Sequence, residues 1–192
     1  MASKRTRARV HKAVLDLVGD RGVARLTMEG VAVRAGVGKQ TLYRSWPSTA
    51  AILFDALLAR SETAEGAVAV PDSGELREDL LLLLEGTVHE LTSPATEPLL
   101  RAVTAAIQTD LDLAREYRER LLEPQTAAIA RRFEQAGAED PAAAAELLAG
   151  PVLHRWLLRS GALDRDWQQR HVDRTLLGAR MTSPASPPLG VP

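Results

Sequence analysis

Apolar residues recur along this chain at helical spacing, and the breaks between runs fall at glycine and proline. From Thr6 to Arg21, Val10, Val14, Leu17 and Val18 stand at i, i+4, i+7 and i+8, one stripe of a helix. Gly22 stops it. Thr27 suits the N-cap of a short helix reaching about Ala35, with Glu29 in its first turn. Gly36-Val37-Gly38 predicts a tight turn, and a second short helix follows over about 39–45. Pro47 ends it, because proline lacks a donor and disfavours helix at the residue before it. Ser48 can cap a longer helix with Ile52, Leu53, Ala56 and Leu57 on one face. Beyond a loop at Val70–Gly74, Leu76, Leu80, Leu83, Leu84, Val88 and Leu91 form another amphipathic stripe. The run Leu80–Leu84 is wider than one helix face, which predicts burial on most sides or a cavity along the second side. Helices are predicted over about 97–108 and 111–136, the second kinked at Pro124. Asp140-Pro141 supplies a cap and a first-turn proline for a helix reaching Arg159, kinked at Gly150-Pro151 and stopped by Gly161. A last helix spans about 165–180. No alternating strand pattern and no fixed repeat occurs, so the fold class is all-α.

Composition bounds the rest. The chain has 192 residues, 45% of them hydrophobic and 26% charged, enough for a core in one or two small domains. It has no cysteine, which excludes disulfides, cysteine-ligated zinc, iron–sulfur clusters and a thiol nucleophile, and fits a reducing, cytoplasmic setting. The longest leucine run lies between Asp79 and Glu85, far short of the roughly 20 apolar residues that span a bilayer, so no membrane partner is expected. The basic N-terminus lacks the apolar stretch of a secretory signal. Residues 182–192 hold four prolines and no charge, which predicts a disordered tail.

The net charge of −1 hides an asymmetry. Residues 1–46 carry ten basic side chains against three acidic ones, and the remainder is acidic. A basic head on an acidic body points to a polyanion partner, although a solvated charged helix face has the same composition. Two short helices about a glycine turn make a helix-turn-helix unit, whose second helix enters the major groove with its N-terminal residues at the base edges. Here those residues are Lys39, Gln40, Thr41, Tyr43 and Arg44. Lysine and arginine reach guanine acceptors, glutamine pairs with adenine, and the hydroxyls of Thr41 and Tyr43 suit phosphates. Leu42 and Trp46, four apart, would face the core. A plain helical hairpin also fits the turn by itself; joined to the basic head, the turn favours DNA.

The run Thr27-Met28-Glu29-Gly30-Val31-Ala32-Val33-Arg34-Ala35-Gly36-Val37-Gly38-Lys39-Gln40-Thr41-Leu42-Tyr43-Arg44-Ser45-Trp46-Pro47-Ser48 resembles the DNA-binding signature of tetracycline-repressor-like (TetR family) transcription regulators. The likeness covers about residues 6–58 and extends to the rest in architecture. It implies a three-helix helix-turn-helix domain over 1–47 and a helical ligand-binding and dimerisation domain over 48–181. It implies phosphate contacts from Thr27 and Tyr43, base or phosphate contacts from Lys39 and Gln40, and Thr41 near the groove. Gly38 stands where the family usually has serine, Gln40 where a small residue is common, and Thr49 where a phosphate-contacting lysine is usual. Arg44, Arg5, Arg7 and Arg9 are the candidate replacements for that lysine.

The resemblance implies a repressor released from a DNA operator by a small hydrophobic effector. Bundle pockets have apolar walls and a few polar groups, so polar or aromatic residues within apolar stripes are the candidates: His89, Gln108, His154 and Trp156, with Tyr117 and Arg155 beside them. One recognition helix reads few base pairs, so a homodimer on a near-palindromic double-stranded site is expected. In the family the last two helices pair across the two-fold axis, which makes Leu147, Leu148, Trp156, Leu157 and Leu176 the expected anchors. No enzyme signature occurs: the four histidines are scattered, the Glu85–His89 pair has no further ligand, and no nucleophile elbow or phosphate-binding loop is found. No cofactor and no metal are expected. The alternatives are a constitutive DNA-binding accessory protein and an all-α adaptor whose basic head meets an acidic protein.

Overall fold

The Ser3 hydroxyl accepts the Thr6 amide at 3.2 Å and sets the start of the first helix. Helix α1 therefore spans Lys4–Arg21, beginning ahead of its apolar stripe. The structure, a computed structural model, describes residues 2–63 and 70–180. The tail expected over 182–192 lies outside the described residues. A 3-10 turn at Val23–Arg25 leads into α2 (Met28–Ala35), α3 (Lys39–Ser45) and α4 (Thr49–Thr63). Then come α5 (Leu76–Thr92), α6 (Glu97–Ala106), α7 (Leu111–Tyr117), α8 (Glu123–Gln135), α9 (Pro141–Leu158) and α10 (Arg165–Gly178). The fold is all-α, as the periodicity predicts.

The chain divides into two units. The first holds α1 to α4 together with His89–Pro124; the second holds α5 as far as Val88 and the chain from Gln125 onward. In the first unit one core joins Val10 and Val14 of α1, Val31 of α2, Leu42 of α3, Ile52, Leu53 and Phe54 of α4, and Leu99 and Val103 of α6. Each such side chain contributes about 1.5–3 kcal/mol by leaving water. The predicted caps are present: Thr27 Oγ1 accepts the Gly30 amide at 3.0 Å and Ser48 Oγ accepts the Ala51 amide at 3.1 Å.

The helix predicted over 111–136 is interrupted just before Pro124 by a π-helical stretch at Arg118–Leu122, between α7 and α8. The Glu123 amide reaches back five residues to the Arg118 carbonyl. Pro124 has no N–H to donate, and its ring would crowd the carbonyl four residues before it, so the widened turn absorbs the misfit.

In the second unit Leu80, Leu84, Phe133, Leu148, Val152, Trp156, Trp167 and Val172 are buried. Leu82 is 57% exposed and Leu81 and Leu83 are half-buried, so the leucine run is not covered on every side. The carboxylate of Asp79 is fully buried. It accepts Arg132 Nη2 at 2.7 Å and Nε at 3.0 Å, and the Ser73 amide at 3.0 Å. Burial pushes the Asp79 pKa up, but the Arg132 and Ser73 hydrogen bonds outweigh burial and hold it below the ordinary carboxylate range. His171 Nε2 contacts the Leu148 carbonyl at 2.8 Å, tying α10 to α9. Arg159, in the left-handed region at φ 51°, ends α9, not Gly161. Gly161 serves another purpose. Arg155 donates to the Ala162 carbonyl at 2.7 Å, and its guanidinium lies 2.5 Å from where a Cβ on Gly161 would stand.

Candidate nucleic-acid interface

The site is built on the short pair α2–α3. Gly36 ends α2 in the left-handed conformation, φ 61° and ψ 41°, which glycine adopts without a Cβ penalty. Arg9 of α1 donates to the Gly36 carbonyl at 2.8 Å and packs against the turn, 2.6 Å from where a Cβ would lie. Leu42 and Trp46 bury one side of α3. That leaves Lys39, Gln40, Tyr43 and Arg44 exposed on the other, with Thr41 partly covered. Thr27 is exposed at the start of α2; its oxygen accepts from Gly30, which leaves its hydroxyl hydrogen free to donate outward. Lys39 lies beside Glu29, two residues on from Thr27, and near the Tyr43 ring, which brings the start of α2 close to the exposed side of α3.

Two charged arrangements lie among them that were not singled out from sequence. Lys39 Nζ is 2.5 Å from Glu29 Oε1 and 5.8 Å from the Tyr43 ring centre. The Lys39 hydrogen bond lowers the Glu29 pKa, and Glu29 in turn raises that of Lys39, so both stay ionised at neutral pH. The second is a hub on α4. Asp55 Oδ2 accepts from Arg7 Nε at 2.8 Å and Trp46 Nε1 at 2.9 Å, and it lies 2.9 Å from His11 Nε2. A further Arg7 nitrogen binds Oδ1. Partial burial pushes the Asp55 carboxyl up, but the hydrogen bonds from His11, Arg7 and Trp46 outweigh burial and hold it well below the carboxylate range. Arg7 and Arg9, two candidate replacements for the family lysine, are therefore bound within the head. A lone acid within the apolar stretch 50–59 is the sequence signal that marks Asp55.

The other candidates are more scattered. His89 and Gln108 are exposed in the first unit, and Gln108 Nε2 folds back to the Thr104 carbonyl at 3.3 Å. His154 is exposed in the second unit, 3.3 Å from the Ser160 hydroxyl, and lines a cleft of about 510 Å³ with Leu147, Arg155, Trp167 and His171. Trp156 is buried and does not line that cleft. Among the expected dimer anchors, Leu147 and Leu157 are 48% and 44% exposed, and Leu176 is partly covered. Leu148 and Trp156 are only 2% and 4% exposed, already buried within the unit. They occupy the inward face of α9 and hold that helix in place, so their side chains have little surface left to offer a partner. Among the described residues no group of three or more metal-ligating side chains occurs, and no helix is long and apolar enough to cross a membrane.

Residues 12–56 match the family of bacterial regulatory proteins of the tetR type, and residues 70–175 match the tetracyclin repressor-like C-terminal domain. The chain belongs to the TetR family. It is a DNA-binding transcription regulator with a helix-turn-helix head, and the family is not one of enzymes. It is 30% identical to the helix-turn-helix-type transcriptional regulator YdeS of Bacillus subtilis (strain 168), over 95% of this chain and 98% of that protein. It is 29% identical to the regulator AqdR of Rhodococcus erythropolis, over 82% of this chain and 76% of that one. Among solved structures, the TetR family transcription regulator SCO0332 superposes with a TM-score of 0.72 at 34% identity, covering 91% of this chain and 98% of its own.

Proposed function

We propose that this TetR regulator is a repressor that binds a near-palindromic operator as a homodimer and is released by a small hydrophobic ligand. The observation that carries the DNA reading is the division of α3. Leu42 and Trp46 anchor it, while Lys39, Gln40, Tyr43 and Arg44 stand clear in positions suited to base edges and phosphates. Thr27 and Thr41 supply hydroxyls at the margins. In this reading residues 1–47 read DNA, and residues 48–181 bind ligand and pair two copies.

Support for pairing comes from α9 and α10, which leave Leu147, Leu153, Leu157, Leu158 and Leu177 exposed. Exposed apolar side chains gathered on one helix pair mark an interaction face. Leu147, Leu157 and Leu176 are the anchors best placed to meet a partner. Support for a ligand comes from the match of residues 70–175 to the repressor C-terminal domain, and His154 at the edge of a cleft is the polar group best placed to orient one. His89, Gln108 and Trp156 do not line that cleft, so the proposed ligand contact there rests on His154.

The test is selection of a binding site from random duplex DNA, followed by titration of that site against a panel of hydrophobic metabolites. A near-palindromic site weakened by one compound class supports the reading. A selected site that no compound weakens leaves a constitutive DNA-binding protein instead.

A further inference from the structure

Between Asp20 and Asp55 the chain carries five basic residues and one acid, Glu29. That acid sits against the recognition helix. The Thr27 cap fixes the first turn of α2, where the helix dipole favours a carboxylate, and places Glu29 2.5 Å from the ammonium of Lys39. Lys39 is the first residue of α3, and both it and Glu29 are more than half exposed. The pair is thus not a buried strut of the fold. An exposed pair of this kind stabilises a protein little. A carboxylate beside a groove-reading surface also repels the phosphates that surface must approach.

We propose that Glu29 is a specificity-determining residue that acts through Lys39. Paired with Glu29 and resting near the Tyr43 ring, the ammonium is held at the start of α3, where base edges are read, and is drawn away from phosphates. On DNA of arbitrary sequence Lys39 gains only a phosphate. To do so it must leave Glu29, and the freed carboxylate then faces the backbone. On the right sequence Lys39 meets a base acceptor without that loss. Glu29 therefore lowers affinity for random DNA more than for the operator. This inference rests on the DNA-binding reading of α3 proposed above.

The experiment uses the full chain, a site selected by the wild type from random duplexes, and a scrambled duplex of equal length. Affinities of wild type, Glu29→Gln, Lys39→Met and the double variant are measured by fluorescence anisotropy across a salt series. Glu29→Gln should bind scrambled DNA about three- to tenfold tighter and the selected site less than about twofold tighter, with a salt slope on scrambled DNA steeper by about one per protomer. In the Lys39→Met background the same substitution should leave the ratio of the two affinities unchanged. Equal tightening on both duplexes, or a ratio change that persists without Lys39, overturns the inference while leaving the DNA reading intact. A wild type that selects no sequence overturns both.

Discussion

The indole N–H of Trp46, at the end of the recognition helix, donates to the carboxylate of Asp55 in α4 across 2.9 Å. The same carboxylate holds Arg7 and His11 of α1. One side chain therefore fixes the exit of α3 against two other helices. Pro47, between Trp46 and the Ser48 cap, leaves little slack in that joint. The orientation of α3 follows from α1, α2 and α4 around it, not from its own seven residues alone.

Asp55→Asn should weaken operator binding and alter the acid limb of stability. The folded-state carboxyl lies below its unfolded value of about 3.9, so its contribution is complete above that pH. It is lost as pH falls below about 4 and the native carboxylate protonates. Thermal melts between roughly pH 6 and 2 should therefore fall more steeply in the wild type than in Asp55→Asn. Parallel curves would remove Asp55 from this role.

Thr27→Ala should destabilise the head by about 0.5–2 kcal/mol, because the Gly30 amide loses its acceptor. Thr27→Ser keeps the oxygen and should recover most of that loss in urea titrations. Thr27→Ala should also weaken all DNA sequences alike, since a phosphate contact carries no base information.

Leu157→Glu places a charge on an exposed leucine of α9 and should yield monomers by sedimentation at micromolar concentration, with near-normal folding. Leu148→Ala acts on the buried face and should cost about 2–5 kcal/mol of stability. If Leu157→Glu leaves association intact, the proposed interface is misplaced.

Arg132→Met strands the Asp79 carboxylate inside the second unit and should lower the melting temperature sharply. Replacing both partners with Asp79→Asn and Arg132→Met should recover part of the loss, because no unpaired charge then remains buried. A double variant no better than the single one would mean that packing, not charge, sets the cost.

Local chemistry made much of the head legible. The Thr27 cap, the Gly36 turn, the buried Leu42 and Trp46 and the Ser48 cap all depend on neighbours within a few residues. The start of α1 was not legible, because Lys4 and Arg5 belong to no apolar stripe and the cap at Ser3 precedes the pattern. The partners of Arg7 and Arg9 lie 48 and 27 residues away, so their capture within the head depends on tertiary packing. In α9, Leu147 and Leu148 are chemically alike, and in a stretch so rich in alanine and leucine composition does not separate the buried face from the exposed one. Asp55 and Glu29 were readable in principle, as lone acids in apolar and basic surroundings, but only their partners reveal what they do.

The salt dependence of binding tests the central claim most directly. The affinity of the full chain for its selected duplex, and for a scrambled one, is measured from about 50 to 200 mM salt. A dimer touching about six to ten phosphates through the basic head should give a slope of log K against log salt near −5 to −9, with the selected site preferred throughout. A flat salt response, or equal affinity for both duplexes, would contradict sequence-specific DNA reading by α3.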